Sequence, residues 1–283
     1  MKEPATLRVA EALAQSHSAG VARLDAQWLL AHLLQRDRAW LVAHDDAALP
    51  EPAAAAWSAL LARRAGGEPL AYVIGEREFC GLRLSVSPAV LVPRPETELL
   101  VLWALSCLQN APAPSVIDLG TGSGAVALAI LHARPDVQML ATDASDAALA
   151  VAQANAERLA LPLHTAQGDW WAAAGARRFG LAVANPPYIA ADDAHLAALS
   201  HEPLAALSPG ADGLSALRRI VDGAPAHLLP GAWLLLEHGH DQGAAVRALL
   251  HDAGFVHPQT RNDLADLPRC SGGLWSGGPS SRD

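Results

Sequence analysis

A glycine-rich loop between an apolar strand and an apolar helix constrains the fold of this chain more than any other feature. The segment Ser115–Leu119 predicts a buried strand, residues 125–131 predict a helix, and residues 120–124, Gly-Thr-Gly-Ser-Gly, join them. Glycines permit a tight turn and let backbone N–H groups approach a ligand closely. A second apolar run, residues 137–142, ends at Asp143, about twenty residues after the loop, where an acidic residue binds ribose hydroxyls. The pattern predicts a βαβ unit with a nucleotide-type ligand.

The identity of that ligand stays open on the loop pattern alone. Gly120, Gly122 and Ala125 also satisfy the looser dinucleotide fingerprint, which allows NAD. Asp118, directly before the loop, argues against NAD, because its carboxylate suits a cationic group such as an amino-acid ammonium better than a pyrophosphate. Two alternatives need no ligand: the glycines can form a purely structural turn, and Asp118 can simply cap it.

A second motif, Asn185-Pro186-Pro187-Tyr188, follows an apolar run at residues 179–184 that predicts another buried strand. The asparagine offers a side-chain carbonyl, and the two prolines remove two backbone N–H donors, so the stretch presents carbonyl oxygens. The tyrosine adds a flat face on which a planar amide or base can stack. At the carboxyl end of a strand, where open α/β sheets bind ligands, these groups suit the holding of a planar NH2 group for methylation. The alternative is an ordinary Asn-Pro turn.

Strand and helix patterns alternate along most of the remaining chain. Further helices are predicted at residues 97–108, 145–159 and 242–253, and further strands at 163–166, 232–237 and after Gly254. This alternation predicts an α/β fold with a doubly wound, mainly parallel, Rossmann-like sheet. The end of the chain, residues 272–283, is rich in glycine and serine, and we expect it to be frayed.

The first 70 or so residues predict helices only. Residues that recur at helical spacing support three helices: Leu7, Ala10, Leu13 and Ala14 for the first, Leu24, Trp28, Leu29, His32 and Leu33 for the second, and Trp57, Leu60 and Leu61 for another. Residues 76–86 alternate around a glycine and predict a hairpin. We therefore divide the chain into a small helical domain, residues 1–73, a hairpin linker, residues 74–92, and the α/β domain, residues 93–283.

Composition argues against several classes of partner. The net charge is −9, of which −2 falls in residues 1–80 and −7 in the remainder, so neither part has the basic footprint of a nucleic-acid binder. No apolar run reaches the ~20 residues of a membrane span, and no signal peptide is apparent. Three scattered cysteines, Cys80, Cys107 and Cys270, have no metal-ligand spacing. We expect a cytoplasmic protein with no bound metal, no membrane and no stable nucleic-acid partner.

The order of these motifs, with Gly168-Asp169-Trp170 between the second strand and the tetrad, resembles a class I S-adenosylmethionine-dependent methyltransferase of the amino-methylating group. Residues 93–98, Pro-Arg-Pro-Glu-Thr-Glu, are similar to the HemK/PrmC type, the peptide chain release factor glutamine methyltransferases. So are residues 202–207, Glu-Pro-Leu-Ala-Ala-Leu, and 236–239, Leu-Glu-His-Gly. One departure is His201, where this family commonly has phenylalanine.

The resemblance implies a fold, a reaction and a set of site residues. The fold would be the class I methyltransferase sheet, with the helical domain recognising the protein substrate. The reaction would transfer a methyl group from S-adenosyl-L-methionine to the side-chain amide nitrogen, N5, of the glutamine in the Gly-Gly-Gln motif of class 1 release factors. The implied cofactor-binding residues are Gly120, Thr121, Gly122, Ser123, Gly124, Asp143, Trp170 and Asn185. Substrate binding would fall to Asn185, Pro186, Pro187 and Tyr188, and the catalytic contacts with the amide to Asn185, Pro186 and Tyr188.

Three other functions stay open at this point. A ribosomal-protein glutamine N5-methyltransferase would use the same chemistry on a different protein. A DNA or RNA adenine-N6 methyltransferase would use it on a flipped base, although the acidic total charge speaks against nucleic acid. A cofactor-binding interaction module without activity is the non-enzyme alternative, and the intact glycine loop, Asp143 and Asn185 argue against it.

Overall fold

The computed structural model describes residues 7–111 and 114–278, and it divides the chain into two compact units. The first unit extends to Glu76, and the second begins at Arg77. Each unit has its own hydrophobic core. The division at residues 73 and 92 by function stays a prediction, because compact units report packing and not the task of each segment. None of the helices in the described ranges is long and apolar enough to cross a membrane.

The first unit is built from helices. They are α1 (Val9–Ser18), α2 (Arg23–Leu34), α3 (Arg38–Ala43), α4 (Glu51–Ala65) and α5 (Leu70–Ile74). Their core surrounds the fully buried Trp57, with Leu29 and Leu30 of α2 beside it. The buried side chains of α1 are Val9, Ala12 and Ser16, and Trp28 of α2 is 47% exposed.

The second unit begins with a hairpin and continues as an α/β layer structure. Its elements are β1 (Glu76–Phe79), β2 (Leu82–Ser85), α6 (Glu98–Cys107), β3 (Ser115–Leu119), α7 (Ala125–Ala133), β4 (Gln138–Asp143), α8 (Asp146–Leu159), β5 (His164–Gln167), β6 (Phe179–Ala184), α9 (Leu204–Leu207), α10 (Ser215–His227), β7 (Leu228–Glu237), α11 (Gly243–Asp252), β8 (Phe255–Asn262) and β9 (Pro268–Trp275). Strands β1 and β2 form a separate two-stranded sheet.

The main sheet has seven strands in the order β5-β4-β3-β6-β7-β9-β8. The pairs from β5 to β7 are parallel, and β9 runs antiparallel to both of its neighbours. Successive side chains point to opposite faces of a strand, so Val116, Leu181 and Leu235 enter one core and Ile117, Ala182 and Leu234 enter the other. Both faces are therefore buried, as a doubly wound sheet requires. The predicted fold class is confirmed.

The expectation of a frayed tail is wrong for its first residues, Gly272 and Gly273. Gly272 pairs with Leu235, and Gly273 pairs with Leu234, so this stretch forms part of β9 inside the sheet. A Cβ atom at Gly272 would lie 2.5 Å from the Leu235 side chain, and one at Gly273 would lie 2.9 Å from Phe255. The glycines thus reflect close packing. The last part of the predicted tail, residues 279–283, lies outside the described residues.

The register of the parallel strands brings their carboxyl ends into one row. Leu119 of β3 pairs with Thr142 of β4 and with Ala184 of β6, and Ala184 pairs with Leu236 of β7. The residues that follow these partners in the chain are Gly120, Asp143, Asn185 and Glu237. Sequence-distant motifs are therefore neighbours at the edge where such sheets bind ligands.

Candidate active site

The glycine loop has a backbone that other residues would not adopt without strain. Gly120 has a φ of +74°, and a Cβ atom there would lie 3.1 Å from the Trp170 ring. Gly124 has a φ of +82°, and a Cβ atom there would lie 3.0 Å from Leu128 and 3.2 Å from Ala152. Glycine therefore lets the chain turn sharply and lets α7 pack closely on α8. Both loop positions serve local packing and leave the loop backbone beside Trp170.

Asp143 fixes the loop from the next strand. Its Oδ2 accepts a hydrogen bond from the Gly122 N–H at 3.0 Å, and its Oδ1 accepts one from the Ser145 N–H at 2.9 Å. Each carboxylate oxygen has a second lone pair that remains able to accept. The side chain is half-buried, so Asp143 can bind a ligand hydroxyl while it holds the loop.

Asp118 lies beneath the loop and is buried, with 2% of its surface exposed. Its Oδ2 accepts a hydrogen bond from the Thr121 hydroxyl at 2.7 Å. Burial, with a smaller contribution from the negative charge of Asp143, raises the pKa of Asp118 to about 7, against the hydrogen bonds from Thr121 and the Ala127 backbone, which lower it. A carboxyl group held this far from water favours a cationic partner, because a nearby positive charge stabilises its ionised form.

One cavity of about 280 Å³ opens at this edge of the sheet. The predicted site residues among those that line it are Gly120, Thr121, Gly122, Ser123, Asp143, Trp170, Asn185 and Pro187. Gly124, Pro186 and Tyr188 do not belong to the lining. Asp118, Arg94 and Thr97 also line the cavity, and so do Pro203, Ala205 and Ala206 from the Glu-Pro-Leu-Ala-Ala-Leu segment.

The Asn-Pro-Pro-Tyr tetrad is held from two directions. The Asn185 Nδ2 donates to the Thr97 hydroxyl oxygen at 3.2 Å. The Tyr188 hydroxyl donates to Glu237 Oε1 at 3.2 Å, and the Tyr188 carbonyl accepts a hydrogen bond from Gln242 Nε2 at 3.0 Å. Burial, together with the charge of Glu237, raises the pKa of Tyr188 well above its ordinary value. Tyr188 is therefore a neutral donor, and its hydroxyl points to Glu237 in the sheet.

Glu237 is an acidic group that sequence reasoning did not include in the site. It is 1% exposed, and burial raises its pKa to about 7, against the lowering effects of Thr97, Arg269 and Tyr188. Its Oε2 has no partner with regular hydrogen-bond geometry among the residues that the structure describes. The available signal was an acidic residue directly after the apolar run of β7, in the register position beside Asn185. Thr97 lies in the Pro-Arg-Pro-Glu-Thr-Glu segment, and nothing in its local sequence marks it as a neighbour of Asn185.

Arg94 lines the cavity, and its guanidinium pairs with the buried Glu202 at the start of the second family motif. The Arg94 guanidinium forms an ion pair with Glu202 Oε1, and the Val92 N–H donates to Glu202 Oε2 at 3.1 Å. The Glu202 side chain is only 2% exposed. The ion pair anchors the segment that carries Pro203, Ala205 and Ala206 against the entrance of the catalytic unit.

Two family models match the chain. The PrmC N-terminal domain matches residues 5–75, and the methyltransferase small domain matches residues 97–210. A release factor glutamine methyltransferase from Bordetella pertussis is 51% identical over 257 residues, which cover 90% of this chain and 95% of the relative. One from Xylella fastidiosa is 51% identical over 261 residues, which cover 91% and 94%. This chain belongs to the release factor glutamine methyltransferase family. The resemblance inferred from the motifs is confirmed, and the chain is a methyltransferase.

The fold of the family domain extends to more distant enzymes. A T. thermophilus 16S rRNA N2 G1207 methyltransferase, solved in complex with AdoMet and guanosine, is 21% identical, with a TM-score of 0.54 over 71% of this chain and 49% of that one. At this identity the likeness concerns the fold alone. It agrees with the mainly parallel seven-stranded sheet observed here.

Proposed function

We propose that this member of the family transfers a methyl group from S-adenosylmethionine to the side-chain amide nitrogen of the glutamine in the Gly-Gly-Gln motif of class 1 release factors. The observation that carries the proposal is the row of Gly120, Asp143 and Asn185 around one cavity, with the carbonyl-rich tetrad at its end. Asp143 can accept hydrogen bonds from ligand hydroxyls, the backbone at Gly120 can approach a ligand closely, and Asn185 can accept a hydrogen bond from an amide. The same row lies in a chain whose relatives are named for this reaction.

The residues present fit the cofactor. Asp143 would accept hydrogen bonds from the ribose hydroxyls with the lone pairs that Gly122 and Ser145 leave free. Trp170 lines the cavity beside Gly120 and offers an aromatic face to the adenine. Asp118 is a buried carboxyl group, and the α-ammonium of the methionine part would give it a counter-charge. When bound, the cofactor supplies an electrophilic methyl group on a sulfonium.

The chain's own contribution to the reaction is placement. A glutamine amide nitrogen is a poor nucleophile, because its lone pair is delocalised into the carbonyl group. Asn185 Oδ1 and the Pro186 carbonyl would each accept one N–H of this amide, which directs the lone pair toward the methyl group. The same two oxygens would stabilise positive charge that develops on nitrogen. Holding the reacting atoms about 3 Å apart and in line supplies a large share of the lowering of the activation barrier.

Tyr188 is held through both its side chain and its backbone. Its hydroxyl donates to Glu237, and its backbone carbonyl accepts from Gln242. A fixed aromatic face beside Pro187, which lines the cavity, is suited to stack on the amide plane. We keep stacking as the proposed role of Tyr188, with its hydroxyl serving as the anchor.

The helical unit is proposed to recognise the release factor away from its Gly-Gly-Gln loop. This unit has its own core around Trp57, and it contains none of the cavity-lining residues. Two glycines before the target glutamine would let a protein loop enter a narrow site. A chain beginning at Arg77 is expected to bind the cofactor with nearly full affinity and to methylate release factor much more slowly. Equal rates for both chains would show that the helical unit has no part in recognition.

The substrate is tested by offering the full-length enzyme three candidates with tritiated cofactor. We expect label in release factor and none in ribosomal protein or DNA. Asn185→Ala provides the inactive control, and Asn110→Ala, at an exposed position, provides the matched active one. Label in ribosomal protein or in DNA adenine, with release factor unlabelled, would contradict the substrate and leave the amide chemistry in place.

A further inference from the structure

We propose that Glu237 is a positioning residue that sets the orientation of the Asn185 side-chain amide through the hydroxyl of Thr97, and that it anchors Tyr188 at the same time. The inference rests on the proposed methyl transfer, because it assigns to Asn185 Oδ1 the task of accepting a substrate N–H. Glu237 and Thr97 would touch neither the amide nor the cofactor methyl group.

The hydrogen-bond chain begins at the cavity wall. Asn185 Nδ2 donates to Thr97 Oγ1 at 3.2 Å. Thr97 is 3% exposed, so its hydroxyl hydrogen needs a partner inside the protein. The Thr97 hydroxyl is close enough to the Glu237 carboxyl to lower the pKa of that group, and Glu237 Oε2 is buried with no other hydrogen-bond partner of regular geometry among the described residues. A hydroxyl has one hydrogen to donate. Once that hydrogen points to Glu237, the Thr97 oxygen can only accept, and Asn185 must present its NH2 group.

The Glu237 carboxylate sets the donor-to-acceptor direction of this hydrogen-bond chain. Burial raises the pKa of Glu237, but the Thr97 and Tyr188 hydroxyls and the charge of Arg269 act against that effect and favour the ionised form. An ionised carboxylate accepts hydrogen bonds and donates none. Glu237 Oε1 already accepts from Tyr188 at 3.2 Å, and Oε2 is the buried oxygen left without a regular partner among the described residues. Leaving a buried charged oxygen unpaired is costly. The Thr97 hydroxyl is therefore drawn toward Glu237, and a neutral side chain at position 237 would not impose that preference.

The orientation of Asn185 decides what the cavity offers to a glutamine amide. With Nδ2 turned to Thr97, Oδ1 is left for the substrate N–H. The reversed amide would place an NH2 group against another NH2 group, with no hydrogen bond between the two donors. Both orientations have nearly the same shape, so packing alone does not choose between them. A directed hydrogen-bond chain from Glu237 is a physical means of making that choice.

The test compares three variants of the full-length enzyme in steady-state methylation of release factor. Thr97→Val keeps the shape and removes the hydroxyl. Thr97→Ser keeps the hydroxyl. Glu237→Gln keeps the side-chain volume but replaces a group that only accepts hydrogen bonds with an amide that can also donate them. We expect Thr97→Val and Glu237→Gln to lower kcat by about tenfold or more, as for a lost positioning contact. Cofactor affinity should change by less than about threefold, and Thr97→Ser should recover most of kcat.

A matched control and a second readout separate positioning from stability. Thr260→Val removes a threonine hydroxyl that bonds Ser271 and Arg247 and lies outside the cavity lining, and it should leave kcat near wild type. The double variant Thr97→Val, Glu237→Gln should have a kcat close to that of the less active single variant, because both substitutions break the same hydrogen-bond chain.

Three results would overturn the inference. They are kcat within about twofold of wild type for a folded Thr97→Val, a loss that Thr97→Ser does not recover, and losses that multiply in the double variant. If Thr97→Val does not fold, Glu237→Gln and Thr97→Ser carry the test by the same criteria. A wild-type enzyme that leaves release factor unmodified would instead contradict the proposed function, so the two failures are distinguishable.

Discussion

Arg94 and Glu202 form an ion pair across 108 residues of sequence, and the buried member of the pair is the glutamate. Arg94 belongs to the Pro-Arg-Pro-Glu-Thr-Glu segment and Glu202 begins the Glu-Pro-Leu-Ala-Ala-Leu segment. Both segments supply lining residues to the same cavity. The pair thus holds together, beside the same cavity, two segments that lie far apart in the sequence.

The first prediction concerns the contribution of this ion pair to stability. Arg94→Ala leaves the Glu202 carboxylate buried with one hydrogen bond from Val92, so the free energy of unfolding should fall by about 1–3 kcal/mol. Arg218→Ala breaks the exposed pair with Asp212 and should cost less than about 1 kcal/mol. Urea unfolding of both variants measures the difference. Equal losses would mean that the Arg94–Glu202 pair is no more than a surface ion pair.

The second prediction concerns cofactor affinity. Asp143→Ala removes the proposed acceptor of the ribose hydroxyls and also releases the Gly122 and Ser145 N–H groups. S-adenosylmethionine binding should weaken by about 1.5–3 kcal/mol, as for a lost charged hydrogen bond. Titration calorimetry measures this change, with Asp146→Ala, at an exposed position on α8, as control. Unchanged affinity for Asp143→Ala would show that the ribose binds elsewhere.

The third prediction concerns proton release. Since burial raises the pKa of Asp118 to about 7, a cation beside it should drive off a proton near pH 7. Cofactor binding is therefore expected to release up to about one proton per site, measured by calorimetry in buffers of different ionisation enthalpy. Asp118→Asn should abolish the release. Binding heats of wild type that are identical in all buffers would place the ammonium group away from Asp118.

The fourth prediction is the pH dependence of stability without cofactor. Asp118 titrates near pH 4 in an unfolded chain and at about 7 in the folded one. Between these values the folded state binds more protons than the unfolded state. The stabilising contribution is therefore complete below about pH 4 and is lost as the pH rises to about 7. Asp118→Asn should remove a few kcal/mol of this loss between pH 5 and 8, whereas Asp146→Asn should follow wild type. A curve for Asp118→Asn parallel to wild type would contradict the raised pKa.

Much of the fold followed from apolar runs and their order. Buried parallel strands have nearly continuous apolar sequences, so β3, β4, β6 and the end of β7 were recognisable. The edge of the sheet that carries Gly120, Asp143 and Asn185 could be predicted too, because carboxyl ends of parallel strands meet at one edge. Those local signals needed no knowledge of long-range contacts.

The errors arose where packing decides and local composition misleads. Gly272 and Gly273 indicated a frayed end, although in the sheet they are the residues that leave room for Leu235 and Phe255. The spacing in the first helix indicated a helix but did not determine its buried face, because alanine is compatible with either face and the buried face includes Ser16. Such choices depend on neighbours that are distant in the sequence.

Thr97 and Glu237 were missed in the site for a similar reason. Thr97 lies 88 residues before Asn185, and Glu237 lies 49 residues after Tyr188. Nothing in the local sequence of either residue identifies a partner in the tetrad. The register of β6 with β7 is what sets Glu237 beside Asn185.

The fifth prediction concerns the chemical step. Asn185→Ala removes the proposed acceptor of a substrate N–H while leaving the sheet unchanged, so single-turnover methyl transfer should fall by about 10²-fold or more. Cofactor affinity should change less than the rate, since Asp143 and Asp118 remain. Asn110→Ala, at an exposed position, should react like wild type. A rate near wild type for Asn185→Ala at saturating cofactor and substrate would rule out the proposed contact.

The central claim is tested most directly by mass spectrometry of release factor after incubation with the full-length enzyme and S-adenosylmethionine. The proposed function predicts one added methyl group on the tryptic peptide that contains Gly-Gly-Gln, with fragment ions assigning it to the glutamine side chain. Release factor treated with Asn185→Ala should lack that mass shift under the same conditions. An unmodified glutamine after incubation with active, cofactor-bound wild-type enzyme, or a methyl group on another residue of the peptide, would contradict the account.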